Sequence, residues 1–326
     1  MPAPLKPRQA PKLLSIVFPV YNEAEGLPTL RRAVEAWTAA QPYACEVVLV
    51  DDGSRDGSFA LIQEWAADDP RVRGLSFSKN FGQQMAMTAG LSVAKGDAIV
   101  LLDADLQDPL EVIPHMVARY QEGYDIVYGQ RPEREGESLF KRSSAWIFYR
   151  LMQTFVHKNL PADTGDFRLV SRRCLDAVLR MHETHRFLRG LFAWAGFHTT
   201  AVQFKRAARQ YGQTKWTPVK LVRFAWNAML SFSSLPLQTI TWMGFGTAGL
   251  AIGYGVFAIL QKYIYHTAVQ GWTGIIVALG IIGGAILVSL GVIGNYVGRI
   301  FDEIKRRPLY LVCDDTAADR DRTGSS

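Results

Sequence analysis

The stretch Ala98-Ile-Val-Leu-Leu-Asp-Ala-Asp-Leu-Gln-Asp108 decides how the rest of the chain is read. Ala98 to Leu102 form an apolar run behind Gly96-Asp97, short enough for a buried strand. The run ends abruptly in Asp103, Asp105 and Asp108. In an open α/β sheet, ligands sit at the carboxyl ends of the strands, which places Asp103 and Asp105 at the mouth of a site. Their i, i+2 spacing puts both side chains on one side of an extended segment. Two acids held together repel, and a hard divalent cation shared with phosphate oxygens resolves that repulsion. The other reading of a bare Asp-x-Asp is a solvated strand end whose acids cap the helix expected near Pro109.

Working outward, strand and helix alternate. Leu13 to Val20 reads as a first strand closed by Pro19-Val-Tyr-Asn-Glu23, with Asn22 or Glu23 expected to cap a helix whose interior is Leu30 to Ala40. Glu46 to Asp52 gives a second strand, then the turn-rich Gly53-Ser-Arg-Asp-Gly57 and a helix over Ser58 to Ala67. Val72 to Phe77 is a third strand, and Gln83 to Ala94 a helix with a small-residue face. Pro109 to Glu122 is the helix after the acidic run, and Asp125 to Tyr128 a fifth strand. The alternation predicts a parallel, doubly wound α/β sheet. Acids recur at two strand ends, Asp51-Asp52 and Asp103-Asp105, which favours one shared site over independent caps.

Composition narrows the class. The 326 residues allow two domains or one large one, and 48% hydrophobic content with 20% charged content suits a globular protein with an unusually apolar portion. A net charge of +6 fits anionic membranes or phosphorylated substrates. Zinc-finger spacing and RNA-binding aromatic motifs are lacking, so no nucleic-acid partner is expected. Cys45, Cys174 and Cys313 are far apart and odd in number, which argues against a disulfide framework and for a reducing compartment. Residues 1–12 read as a flexible basic tail rather than a signal peptide. The sequence has no P-loop and no Gly-x-Gly-x-x-Gly after the first strand, so a nucleotide would be held through carboxylates, a metal and base or ribose contacts. The six histidines include no His-x-x-x-His pair, and no Gly-x-Ser-x-Gly elbow points to a hydrolase.

Phe18-Pro-Val-Tyr-Asn-Glu23, Val50-Asp-Asp-Gly-Ser-Arg-Asp-Gly57, Asn80-Phe-Gly-Gln83 and Leu102-Asp-Ala-Asp-Leu-Gln-Asp-Pro109 resemble family 2 glycosyltransferases of the GT-A fold. Thr164-Gly-Asp-Phe-Arg-Leu169, His185-Arg-Phe-Leu-Arg-Gly190 and Gly298-Arg-Ile-Phe-Asp-Glu-Ile-Lys-Arg-Arg-Pro308 narrow the resemblance to the polyprenyl-phosphate glycosyltransferases, a group that includes bactoprenol glucosyltransferases and dolichyl-phosphate mannose synthases. The motifs run in order over nearly the whole chain. The resemblance implies an α/β GT-A (Rossmann-like) nucleotide-sugar-binding domain, expected over residues 13–214.

The C-terminal third reads as membrane. Arg223 to Lys262 encloses no charged residue, and Lys262 to Arg299 only His266. Residues 240–260 and 273–297 are each long enough to span a hydrocarbon core of roughly 30 Å. Their glycines, Gly244, Gly246, Gly249, Gly253 and Gly255 in the first and Gly280, Gly283, Gly284, Gly291 and Gly294 in the second, suit close helix packing in lipid. Lys215, Lys220 and Arg223 precede the pair, and Arg299, Lys305, Arg306 and Arg307 follow it, so both flanks, with the 299–326 tail, are expected on the cytoplasmic side. A bacterial inner-membrane, multi-pass protein is expected. Residues 138–156 and 215–237 interleave basic and aromatic residues as interfacial helices do, although ordinary amphipathic helices facing a core share that pattern.

The chemistry implied by the resemblance is transfer from a nucleotide sugar. A departing diphosphate needs its charge neutralised, which a carboxylate-held divalent metal supplies. Asp105 is the expected ligand, with Asp103 and Gln107 beside it, and the ion Mg2+ or Mn2+. Pro19, Tyr21, Glu23, Asp52 and Lys79 are expected around the donor nucleotide, while Asp51 is read equally well as structural. Asp166 stands at the proposed base position, yet on its residues alone it fits equally well a group that orients Arg168 or the sugar. An acceptor phosphate with a second pKa near ~6 is already anionic at neutral pH, so the need for a base is small. Arg131, Arg206, Arg209 and Lys215 are candidates for diphosphate or acceptor oxygens, Arg by bidentate geometry, and each alone also reads as a surface charge. Residues 209–215 resemble the family's Arg-x-x-Gly-x-Ser-Lys with Thr214 in place of Ser.

The expected activity is inverting transfer of a hexose, with UDP-glucose the leading donor, to polyprenyl (undecaprenyl) phosphate. GDP-mannose, a UDP-N-acetylhexosamine and a UDP-formylaminoarabinose are alternative donors, and a non-catalytic nucleotide-binding scaffold is an alternative class. A processive polysaccharide synthase is disfavoured because no Gln-x-x-Arg-Trp motif is present. The resemblance also suggests a homo-oligomer, a tetramer.

Overall fold

The computed structural model describes residues 5–130, 164–184, 186–204, 235–265 and 272–318. It divides into two units, Met1–Ala225 with Pro308–Ser326, and Trp226–Arg307. The expected interfacial stretch 138–156 and residues 215–234 of the second lie outside the described residues.

The first unit is built on β1 (Leu13–Val20), β2 (Ala44–Asp51), β3 (Val72–Phe77), β4 (Ala98–Leu101), β5 (Ile126–Gln130), β6 (Thr164–Ser171), β7 (Thr199–Gln203) and β8 (Val312–Asp315). Helices α1 (Leu27–Ala39), α2 (Ser58–Asp68), α3 (Gln83–Val93), α4 (Ile113–Gln121), α5 (Arg172–Leu179) and α6 (Leu188–Trp194) complete it. The strand order is β7-β5-β6-β4-β1-β2-β3-β8. The expected all-parallel sheet is corrected here to a mixed one. β6 runs antiparallel between β4 and β5, and β8 antiparallel on the edge of β3. Neither return is visible in a β-α alternation, because β6 follows a long connection and β8 lies past the apolar helices. The fold is a mixed α/β sheet with helices packed on both faces.

Alternation along β1 sorts the two faces of the sheet. Leu14, Ile16, Phe18 and Val20 belong to a core shared with Leu30, Val34, Ile62, Trp65, Ile113 and Met116, all nearly inaccessible to solvent. Val17 points the other way. There α3 lies so close that a Cβ on Gly90 would sit 2.3 Å from Val17 Cγ1. This is the small-residue face expected for α3, with Ala86 and Ala89 buried beside Gly90. Removing a large core side chain such as Phe18 or Trp65 costs about 3–5 kcal/mol through lost transfer energy and the cavity left behind.

Two helix starts differ from expectation. α1 begins at Leu27 with Gly26 at its cap and Pro28 in its first turn, not at Asn22 or Glu23. Asn22 has φ +50° and its Oδ1 accepts from the Arg55 amide, so the chain turns before the helix begins. The helix after Asp108 opens as a 3-10 turn over Leu110–Val112 before α4. Within the N-terminal segment read as a tail, Arg8 makes ordered contacts. Its guanidinium donates to Asp125 at 2.7 Å and to the Gly123 carbonyl, and lies 5.2 Å from the centre of the Tyr120 ring.

Among the described residues, the second unit holds α7 (Leu235–Tyr265) and α8 (Trp272–Lys305). Thr239–Phe257 and Ala278–Lys305 within them are long and apolar enough to cross a membrane. Their apolar side chains stand open, with Trp242 at 74% and Leu287 at 71% exposure. Water would make such surfaces costly at roughly 25 cal/mol per Å². Hydrocarbon removes that cost. Among the described residues, a Cβ on any of Gly244, Gly246, Gly249, Gly253, Gly255, Gly280, Gly283, Gly284, Gly291 or Gly294 would meet nothing within 4 Å, so these glycines leave open faces along both helices.

Candidate active site

Four loops leave the carboxyl ends of β1 to β4, and short polar contacts lock them together. After β1, the Asn22 and Glu23 amides donate to Ser54 Oγ and Ser58 Oγ at 2.8 and 3.0 Å, and the Ala24 amide to Asp56 at 3.0 Å. The 51–58 loop therefore holds the Tyr21-Asn22-Glu23 turn in place. Pro19 and Glu23 are half-buried and Tyr21 is 37% exposed. Asp51 is buried and accepts from Ser76 Oγ at 3.1 Å and from the Ser54 amide, which makes it part of this scaffold.

Asp52 joins β2 to the loop after β3. Its carboxylate accepts from the Phe81 amide at 2.7 Å and from the Gly82 amide at 2.9 Å, while its carbonyl accepts from Asn80 Nδ2. Burial pushes the Asp52 carboxyl up to about 6, against those amides, which pull it down. Gly53 lets the two loops touch. It has φ +67°, and a Cβ there would stand 2.5 Å from the Lys79 carbonyl carbon. Lys79 places its ammonium 5.0 Å from the centre of the Phe81 ring.

The Asp-x-Asp segment follows β4. Asp103, Asp105 and Gln107 are all partly exposed. Gln83 Nε2 donates to Asp103 at 2.9 Å, and the Gln107 amide to Asp105 at 3.1 Å, with Leu106 turned to φ +54° between them. Among the described residues, no group of three or more His, Cys, Asp or Glu side chains is placed to hold a metal. Two oxygen-rich acids reachable from solvent do fit a hard cation that takes its remaining ligands from substrate phosphates and water.

Asp166 reaches the same end of the sheet through β6. Arg168 is the register partner of Leu101, so Asp166, two residues earlier on an antiparallel strand, lies level with Asp103, two residues past Leu101. Both Asp166 oxygens are taken by Arg189 of α6, Nε to Oδ1 at 2.7 Å and Nη2 to Oδ2 at 2.8 Å. Arg168 lies beneath at 1% exposure, 3.6 Å from Asp166 Oδ1, between the rings of Tyr128 and Phe192 at 5.1 and 5.3 Å. Burial pulls its guanidinium below the ordinary arginine value, and its Nη1 has no hydrogen-bond partner among the described residues. Arg189, Gln83 and Gln84 were not singled out from the sequence, although two of the quoted motifs contain Arg189 and Gln83. Gln84 Oε1 accepts from the Leu188 amide at 3.0 Å and so fixes the turn that presents Arg189. Only tertiary pairing gives these residues a role. Arg131, Arg206, Arg209, Lys215 and His185 lie outside the described residues.

Asp52, Asp103, Asp105 and Asp166 thus lie at one end of three interior strands, Asp52 after β2, Asp103 and Asp105 after β4 and Asp166 on β6. The sequence profile of "Glycosyl transferase family 2" matches residues 15–179. An uncharacterised glycosyltransferase of Synechocystis sp. is 41% identical over 92% of this chain and 95% of its own length. A prophage-derived bactoprenol glucosyl transferase of Shigella flexneri is 37% identical over 92% of this chain and 97% of its own. A solved structure, glucosyl-3-phosphoglycerate synthase from Mycobacterium tuberculosis with Mn2+, UDP-glucose and phosphoglyceric acid, is 17% identical over 67% of this chain and 78% of that one, with a TM-score of 0.45. A profile match over half of the chain and near-full-length relatives agree: the chain belongs to glycosyl transferase family 2 and is a glycosyltransferase.

Proposed function

We propose that the protein transfers a hexose, glucose from UDP-glucose, to a polyprenyl phosphate at the cytoplasmic face of a bacterial inner membrane, with inversion at the anomeric carbon. The observation that carries this reading is the placement of Asp52, Asp103, Asp105 and Asp166 at the same end of the sheet's interior strands, in a chain with two membrane-length apolar helices. The name of the Shigella relative supports the acceptor class and the sugar.

Asp103 and Asp105 would hold Mg2+ or Mn2+, with Gln107 beside them. Such an ion supplies charge neutralisation for the departing nucleoside diphosphate. Asp52 accepts ribose hydroxyls, Tyr21 lies against the base, and Pro19 and Glu23 shape that pocket. Lys79 balances donor phosphate charge, and Arg131, Arg206, Arg209 and Lys215 serve donor or acceptor phosphate oxygens. The acceptor phosphate is its own nucleophile, an oxygen anion that attacks the anomeric carbon as the bond to the diphosphate breaks. Asp166, held on both oxygens by Arg189, acts here as the group that fixes Arg189 and Arg168 beside the sugar and acceptor, not as the base.

Connectivity supports the membrane arrangement. β7 precedes α7, β8 follows α8, and both belong to one sheet. A chain that starts and ends in one sheet crosses a membrane an even number of times between those strands. This agrees with the positive flanks on a single side.

The test is transfer of radiolabelled sugar from a panel of nucleotide sugars to undecaprenyl phosphate in detergent, with and without EDTA, beside Asp105→Asn. Lipid-borne label from UDP-glucose, abolished by EDTA and by the substitution, is the expected result. Label from another donor alone replaces the sugar. No labelled lipid from any donor with folded protein overturns the enzyme reading in favour of a nucleotide-binding scaffold.

A further inference from the structure

The described segment after the apolar helices packs against the first unit's sheet. Pro308 to Ala318 returns to the first unit and covers the open edge of β3. Leu75 pairs with Asp315, and the Ser78 amide donates to the Leu311 carbonyl at 3.0 Å. Arg73 forks onto Asp315 at 3.1 and 2.6 Å, and Thr316 Oγ1 accepts from the Gly74 amide at 2.9 Å. An edge strand left bare is a row of unpaired donors and acceptors, so edge cover alone would explain a strand here. Tyr310 goes further. Its ring stacks on Phe77 at 4.9 Å and 18°, and its hydroxyl pairs with Ser92 Oγ at 3.2 Å. The Phe77 ring in turn takes the edge of Phe81 at 5.6 Å and 87°. Phe81 is the residue whose amide holds Asp52.

We propose that Tyr310 is a positioning residue for the donor-nucleotide site: through the Tyr310–Phe77–Phe81 ring stack, the segment after α8 holds the 79–82 loop, and with it Asp52, in the geometry that binds a nucleoside diphosphate. The proposal rests on the reading of Asp52 as a donor contact. Phe77 is clamped between two rings in offset geometries that favour aromatic pairs. Loss of the Tyr310 ring opens one side of that clamp, while the β8 pairing and the Arg73–Asp315 fork remain to keep the edge covered. The effect is therefore directed at the 79–82 loop rather than at the sheet.

The experiment uses the full-length protein in detergent as Tyr310→Ala and Tyr310→Phe, read by UDP calorimetry, donor and acceptor KM against kcat, and hydrogen exchange of residues 79–83. Tyr310→Ala is expected to weaken UDP binding and raise donor KM by about fivefold, the range a single stacked ring supplies, with kcat and acceptor KM within about twofold. Amides 79–83 should exchange faster, and Tyr310→Phe, which keeps the ring, should restore both. Unchanged exchange at 79–83 in Tyr310→Ala overturns the proposal, as does a fall in kcat with donor KM unmoved. Asp52→Asn is the separate control. If it leaves UDP affinity intact, the donor reading of Asp52 fails, whereas the exchange of 79–83 still decides whether Tyr310 holds the loop.

Discussion

Replacing Asp166 by Asn tests whether this carboxylate is held as a counter-ion or reserved as a base. Asp166 is 9% exposed and accepts two charged hydrogen bonds, from Arg189 Nε and Nη2 at 2.7 and 2.8 Å. Its Oδ1 also lies 3.6 Å from the buried Arg168. An amide of the same shape presents an N–H where one arginine N–H already points and removes the negative charge facing both guanidinium groups. Hydrogen bonds to charged groups contribute about 1.5–3 kcal/mol each, and breaking a buried ion pair by removing one partner costs about 3–5 kcal/mol. The two figures describe the same loss and are not summed. A cost of about 4 kcal/mol is a large share of a typical folding stability of about 5–15 kcal/mol. For a domain of this size it should lower Tm by roughly 10 °C. The assay is thermal unfolding of the purified protein in detergent at pH 7, with Arg189→Gln and the double variant closing a cycle. The cycle should show coupling of at least about 1.5 kcal/mol between the two residues. A purely catalytic base would give a large fall in kcat with Tm unchanged. A Tm within about 2 °C of the parent would refute the counter-ion reasoning.

Three further outcomes are expected. Asp52, with its carboxyl pushed up to about 6, should lose its acceptor function as pH falls through that value, so UDP affinity declines between pH 7 and 5. The folded state takes up this proton before the unfolded state does, so the group's contribution to stability rises over the same range; calorimetry and Tm measured together must move in opposite directions, and parallel losses would contradict the assignment. Gly53→Ala puts a Cβ 2.5 Å from the Lys79 carbonyl carbon at φ +67°; it should cost about 2 kcal/mol or more and weaken UDP binding, and a neutral Tm would show that the two loops are not in contact. Gln83→Leu removes the amide that donates to Asp103; the Mn2+ concentration for half-maximal activity should rise several-fold with Tm nearly unchanged, and an unaltered metal curve would deny Gln83 that role.

The sequence alone carried the local parts of this protein. β1 and β3 have their observed bounds, since an apolar run closed by turn residues is a local property. The two apolar helices and the carboxylates at strand ends were equally legible, because charge depletion and i, i+2 spacing need no partner to be seen. What required the tertiary structure is everything set by pairing across distance. The antiparallel course of β6 brings Asp166 level with Asp103, and no periodicity within Thr164–Ser171 encodes the direction of a strand relative to its neighbours. Arg189 and Gln84 meet the site because α6 and α3 dock there, not because of their neighbours in the chain. The same holds for β8. Val312–Asp315 is short and exposed in pattern, and only pairing on the edge of β3, with the Arg73 side chain forked onto Asp315, makes it a strand. Local composition fixes which elements form and where charge lies; backbone pairing and side-chain docking between residues from tens to more than two hundred positions apart decide which of those charges face one another.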